Sequence, residues 1–114
     1  MTPLAEVRED WHDGMPVGSI HGEIDASNVA EVGVALRGLA SNQGSVLVVD
    51  LTHTTYLDSA GINLLFALGD ELRSRQLALR LVIPPKTSIA RMLAITGLDR
   101  VFPSYAALAD AVKA

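Results

Sequence analysis

The spacing of hydrophobic and polar positions changes several times along the chain, and each change marks an element. Residues 4–11 (LAEVREDW) alternate weakly, with Ala5, Val7 and Trp11 on one face and Glu9 interrupting it. Asp13-Gly14 supplies two residues that tolerate positive φ, so residues 15–24 are expected to return as the second strand of a hairpin. Pro16 and Gly18 weaken that strand, because proline cannot donate to a ladder and is kept to edges or strand starts. From 28 to 42 the period becomes helical: Val29, Val32, Leu36, Leu39 and Ala40 form one stripe. Asn28 and Glu31 have capping-box spacing at its start, and Asn42-Gln43-Gly44 closes it.

Residues 45–51 (SVLVVDL) are β-branched and apolar on both faces, as in a central strand covered on two sides. A second helix is expected from Ser59 or Ala60 to about Arg75, with Ile62, Leu65, Leu68, Gly69 and Leu72 inward. Leu64 and Phe66 make its first half apolar almost all round. Residues 77–83 (LALRLVI) read as a strand stopped by Pro84-Pro85, and 87–96 as a helix with Ile89, Met92, Leu93 and Thr96 on one side. Gly97 suits its C-cap. Arg100-Val101-Phe102 is expected to be a short last strand, and Ser104 to cap a C-terminal helix, YAALADAVKA.

The order is β-β-α-β-α-β-α-β-α. Apolar strands each followed by a helix imply parallel pairing through right-handed crossovers. The expectation is therefore an α/β fold: one domain over residues 1–114, with a mixed sheet of four or five strands, parallel at its centre, and about four helices.

Composition narrows the function classes. Hydrophobic residues make up 49% of the chain, enough for a packed core. Nine Lys+Arg against thirteen Asp+Glu, with no basic run, argue against direct nucleic-acid binding. The absence of cysteine excludes disulfides and thiolate metal sites and fits a reducing compartment. The apolar runs are much shorter than the ~20 residues of a membrane helix, so no membrane insertion is expected. MTPLAEVRED carries no signal-peptide pattern, and the expected location is the cytoplasm.

The chemistry concentrates at Asp58-Ser59-Ala60-Gly61, between two segments that both read as buried. Capping explains part of it, since Asp58 or Ser59 can accept an orphan N–H of the first helical turn, and Gly61 can allow close packing. The loop also follows the carboxyl end of a buried strand, where open α/β sheets place functional groups, and it sits beside the positive end of a helix dipole. Asp25 can likewise cap a helix or close a turn. Asp50 is expected to orient the loop. A hydrolase built from Ser59, His53 and Asp58 or Asp50 lacks the G-x-S-x-G elbow and an oxyanion loop. His12, His21 and His53 have no metal-ligand spacing, and no phosphate-loop or dinucleotide fingerprint is present, so neither metal nor cofactor is expected.

Three segments together, GEIDASN (22–28), VVDLTHTTYLDSAGINLL (48–65) and Thr96-Gly97-Leu98, resemble the STAS domain family, and within it the bacterial anti-sigma factor antagonists. The resemblance covers nearly the whole chain. It implies a non-catalytic binding module whose turn serine, here Ser59, is phosphorylated by a partner that is both anti-sigma factor and serine kinase. The unphosphorylated form would bind that partner and free a sigma factor, and a serine phosphatase would reset the cycle. Asp25, Asp58, Ser59, Gly61 and Asn63 would shape or line the partner-binding surface. Ala60 stands where a second serine is common in the family, which removes a competing hydroxyl. Thr54 or Thr55 is a further candidate for modification. The alternative is a STAS scaffold or accessory subunit of a signalling or transport complex that is never phosphorylated. Self-association is compatible with either. A phosphate on Ser59 would meet free N–H groups at the helix start, so the fold is expected to tolerate it.

Overall fold

The computed structural model describes residues 3–40 and 45–113. The expected hairpin forms: β1 (Ala5–His12) and β2 (Met15–Ile24) pair antiparallel from His12↔Met15 to Ala5↔Gly22. Asp13 and Gly14 both have positive φ, 52° and 79°, as the two-residue turn of a tight hairpin requires. Then follow α1 (Val29–Ala40), β3 (Val46–Asp50), β4 (Thr54–Leu57), α2 (Ser59–Ser74), β5 (Ala78–Val82), α3 (Ser88–Thr96), α4 (Leu98–Val101), β6 (Ser104–Tyr105) and α5 (Leu108–Lys113).

The sheet runs β1-β2-β3-β5-β6, parallel except for β1, with β4 also paired to β2. β2 is long enough to serve two neighbours. Val17–Ser19 pair with β3, and Gly22–Ile24 pair with β4, across a register shift at Gly22/Glu23. β4 thus takes over β3's place along the same edge of β2.

Two layers of apolar side chains flank the sheet. Ile20, Ile24, Leu47, Val49 and Leu81 face α1–α4 and form the larger core with Leu36, Leu39, Leu65 and Leu68. On the other face α5 covers a small cluster of Val17, Val48, Val82 and Ala111. α1 and α2 are clamped by a two-pronged ion pair, with Arg37 Nε and Nη2 donating to Glu71 at 2.8 and 3.0 Å. No helix among the described residues is long and apolar enough to cross a membrane.

Several expectations are corrected. Residues 54–57, between the expected strand and the expected helix and assigned to neither, form β4; its pattern of two exposed residues between two buried ones gives a strand only because the end of β2 is there to pair with it. Arg100–Phe102 is not a strand. Gly97 ends α3 in the left-handed region at φ 82°, and the chain re-enters a single helical turn, α4, because Phe102 is drawn into a notch over Gly69. The last strand is instead Ser104–Tyr105. Ser104 therefore does not cap the C-terminal helix; its hydroxyl donates to the Phe102 carbonyl. Asn28 does not complete a capping box either, since its side chain is committed to the preceding loop. The proposed closure at Asn42-Gln43-Gly44 lies outside the described residues.

Candidate functional site

Parallel pairing of β2 with β4 brings two distant parts of the chain together. Ile24 is in register with Leu57, so Asp25 and Asp58 leave the sheet side by side. The Asp58 N–H donates to the Ile24 carbonyl at 3.3 Å, tying the two exits to each other.

On the second exit, Asp58 has extended backbone angles (φ −97°, ψ −170°) and is the N-cap of α2. Its Oδ1 accepts from Ala60 N at 2.9 Å and from Gly61 N at 3.3 Å. Asp58, and not Ser59, therefore caps the helix. Ser59 becomes the first helical residue, exposed, and its hydroxyl has no hydrogen-bond partner among the described residues. Asn63, one turn further on, is exposed on the same helix face. Gly61 is buried, and its packing leaves no room for a side chain. A Cβ there would lie 2.2 Å from Leu57 Cδ1 and 3.2 Å from Ile24 Cγ2. The glycine lets the first turn of α2 rest directly on the strand ends.

On the first exit, Asp25 closes a turn. Its Oδ1 accepts from the Ser27 hydroxyl and from Ser27 N, the latter at 2.8 Å. The Ser27 hydroxyl and then its N–H hold the Asp25 carboxyl below the usual carboxylate range, so it is ionised at neutral pH. Asn28 braces the same loop, accepting from Asp25 N at 2.9 Å and donating to the Glu23 carbonyl at 2.8 Å. Sequence spacing assigned Asn28 to the helix; the D-x-S-N pattern of residues 25–28, rich in side chains that bond their own backbone, was the signal of the turn.

The approach to the site is equally constrained. Asp50, buried at the end of β3, accepts from Thr52 N at 2.9 Å and from the Thr52 hydroxyl, which folds the link into β4 and fits its expected orienting role. Thr54 is buried and its hydroxyl donates to the Ile20 carbonyl at 2.9 Å, whereas Thr55 is exposed. Of the two, only Thr55 presents a hydroxyl to solvent. His53 stacks on His21, ring centroids 4.5 Å apart, and His21 in turn meets the Ser19 hydroxyl at 3.0 Å. Neither His53 nor Asp50 or Asp58 bonds to the Ser59 hydroxyl among the described residues. The triad components share a neighbourhood in sequence without meeting in a hydrogen-bonded chain.

One expectation about charge changes here. Two of the N–H groups at the start of α2 are already taken by Asp58, so an anion on Ser59 does not find them free. It would meet the helix dipole and the adjacent carboxylates instead.

The STAS domain model matches residues 7–111, nearly the full length of the chain. The chain belongs to the STAS domain family. It is 34% identical over 96 residues to the anti-sigma-B factor antagonist of Listeria monocytogenes, covering 84% of this chain and 82% of that protein. It is 28% identical over 102 residues to the anti-sigma-F factor antagonist RsfB of Mycobacterium tuberculosis, covering 89% and 81%. The crystal structure of an anti-sigma factor antagonist from Mycobacterium paratuberculosis superposes on this STAS domain with a TM-score of 0.86 at 29% identity, covering 96% of this chain and 92% of that one. The mixed sheet with one antiparallel edge strand and helices on both faces is thus the STAS fold, as expected.

Proposed function

We propose that this STAS domain is a cytoplasmic anti-sigma factor antagonist whose switch is Ser59. Unmodified, it binds an anti-sigma factor that is also a serine kinase, and so frees a sigma factor. Phosphorylated on Ser59, it lets go, and a serine phosphatase returns it to the binding form. It controls transcription without touching DNA and performs no catalysis of its own. The observation that carries this reading is the division of labour at the turn: Asp58 does the capping, which leaves the Ser59 hydroxyl exposed and without a hydrogen-bond partner among the described residues, on a backbone held by the cap. The names of the similar proteins supply the class of partner.

The binding surface comprises Asp25, Asp58, Ser59 and Asn63, with Gly61 setting its shape from beneath. A phosphate adds roughly −1.5 to −2 charges next to Asp58 and across from the ionised Asp25. With Ala60 and Gly61 N–H already engaged, it stays directed outward, toward the partner. The switch therefore acts through charge and bulk at the contact surface, with the fold unchanged.

The test is a transcription assay reconstituted with the sigma factor, its anti-sigma factor and polymerase. Unmodified protein is expected to restore transcription stoichiometrically, and protein phosphorylated at Ser59 to restore none. Equal complex formation by both forms, with no relief of inhibition, would point to a STAS scaffold that is not switched by phosphate.

A further inference from the structure

β1 is an edge strand of eight residues whose outer side is unpaired among the described residues, and such edges are open to strand addition. The Leu4 carbonyl accepts from Glu23 N, so residues of even number direct their backbone groups to β2. Ala5, Val7, Glu9 and Trp11 direct theirs outward. Their side chains lie on the face of α1, where Ala5 and Val7 pack against the larger core. Glu6, Arg8, Asp10 and His12 line the opposite face, and the charges of Glu6, Arg8 and Asp10 alternate along the strand.

We infer that this edge pairs with the β1 edge of a second copy of the chain, antiparallel about a two-fold axis through Glu9. A two-fold axis perpendicular to the sheet keeps like faces together and requires outward-directed residues to meet outward-directed ones. Four registers satisfy that near the strand centre, and of these an axis at Asp10 sets Asp10 against Asp10 and leaves residues 5–7 unpaired. An axis at Arg8 sets Arg8 against Arg8 and Glu6 against Asp10, which is repulsive. An axis at Val7 matches Glu6 with Arg8 but leaves Trp11 and His12 unpaired. The axis at Glu9 sets Arg8 against Asp10 of the second copy, Glu6 against His12 and Val7 against Trp11, each twice, and pairs residues 6–12 throughout. Arg8–Asp10 and Glu6–His12 then fall at non-hydrogen-bonded positions, where side chains approach most closely. Glu9 facing its own copy is the single like-charge contact.

The tryptophan strengthens the match. Trp11 is 46% exposed, an uncommon position for so large an apolar side chain. In this register it lies opposite Val7 of the second copy, beside an open groove of about 480 Å³ between β1 and α1, whose β1 wall is the apolar Leu4, Ala5 and Val7 and whose far wall includes the polar Ser27, Asn28 and Glu31. The exposed indole and the apolar β1 wall of the groove come together twice across the axis.

Because Trp11 is the chain's single tryptophan, its fluorescence reports the contact directly. Sedimentation equilibrium and tryptophan emission are measured on the full chain up to about 1 mM, the weak end of specific association. A monomer–dimer equilibrium is expected, with emission moving to shorter wavelength as dimer forms. Arg8→Asp is expected to weaken it about tenfold, since two cross-strand pairs turn from attractive to repulsive. The double exchange Arg8→Asp with Asp10→Arg is expected to restore it, and Glu9→Gln to tighten it. All of these positions are exposed, and circular dichroism on each variant checks that the fold is kept. A chain that stays monomeric throughout, or a dimer whose emission does not shift and that ignores Arg8→Asp, would overturn the inference.

Discussion

Replacing Ser59 with glutamate is expected to weaken binding to the anti-sigma factor by about a hundredfold or more while leaving the domain close to its original stability. A carboxylate desolvated at the contact surface without a paired cation costs several kcal/mol, and each 1.4 kcal/mol is a factor of ten in affinity. Stability responds much less. An acidic residue in the first helical turn gains about 0.3–1 kcal/mol from the dipole, and repulsion from Asp58 offsets that gain. Calorimetric titration against the anti-sigma factor, run with thermal melts, separates the two effects. Ser59→Ala provides the contrast: it should melt as wild type does, because the hydroxyl contributes nothing to the cap, and it should keep most of the affinity, because it brings no charge to the contact surface. A glutamate variant that melts far below wild type would mean that Ser59 supports the fold, contrary to the capping geometry.

Gly61→Ala is the second large effect, and it acts in the opposite way. A Cβ placed 2.2 Å from the fully buried Leu57 forces either the leucine or the start of α2 to move. Overpacking of this kind costs typically 1–3 kcal/mol, against a gain in helix propensity of about 1 kcal/mol for alanine over glycine. The net loss is expected to lower the melting temperature by several degrees, at roughly 4–8 °C per kcal/mol for a domain near this size. Because the moving part carries Ser59, phosphorylation by the kinase should slow as well. Ser59→Ala and Gly61→Ala thus fail differently: one loses the acceptor on an intact fold, the other keeps the acceptor on a displaced turn. Melts followed by circular dichroism, together with initial rates of phosphate incorporation, distinguish them.

Local chemistry made much of this legible in advance. Asp13-Gly14 dictated the hairpin, the stripe from Ile62 to Leu72 dictated α2, and Gly97 ended α3 where a left-handed residue was needed. What was not legible depended on partners distant in sequence. β4 has too few apolar residues to announce itself and is a strand because Gly22–Ile24 extend beyond β3 to meet it. Phe102 looked like the end of a strand, but Gly69, 33 positions earlier, offers its ring a notch and turns that segment helical. The same holds within the site. Asn28 has the spacing of a helix cap, yet the proximity of the Glu23 carbonyl and Asp25 N–H recruits it to the loop. Asp58 and Ser59 were equivalent as caps in the sequence; only the backbone angles and the two bonds to Asp58 Oδ1 separate the cap from the displayed hydroxyl.

The measurement that bears most directly on the switch is intact mass after incubation with ATP and the candidate anti-sigma kinase, with Ser59→Ala run beside the wild type. One added phosphate is expected on the wild type and none on the variant. A phosphate on both would place the acceptor elsewhere, with exposed Thr55 the first residue to examine. Complex formation with an active kinase and no phosphate on either protein would contradict the switch and leave an unmodified STAS binding module.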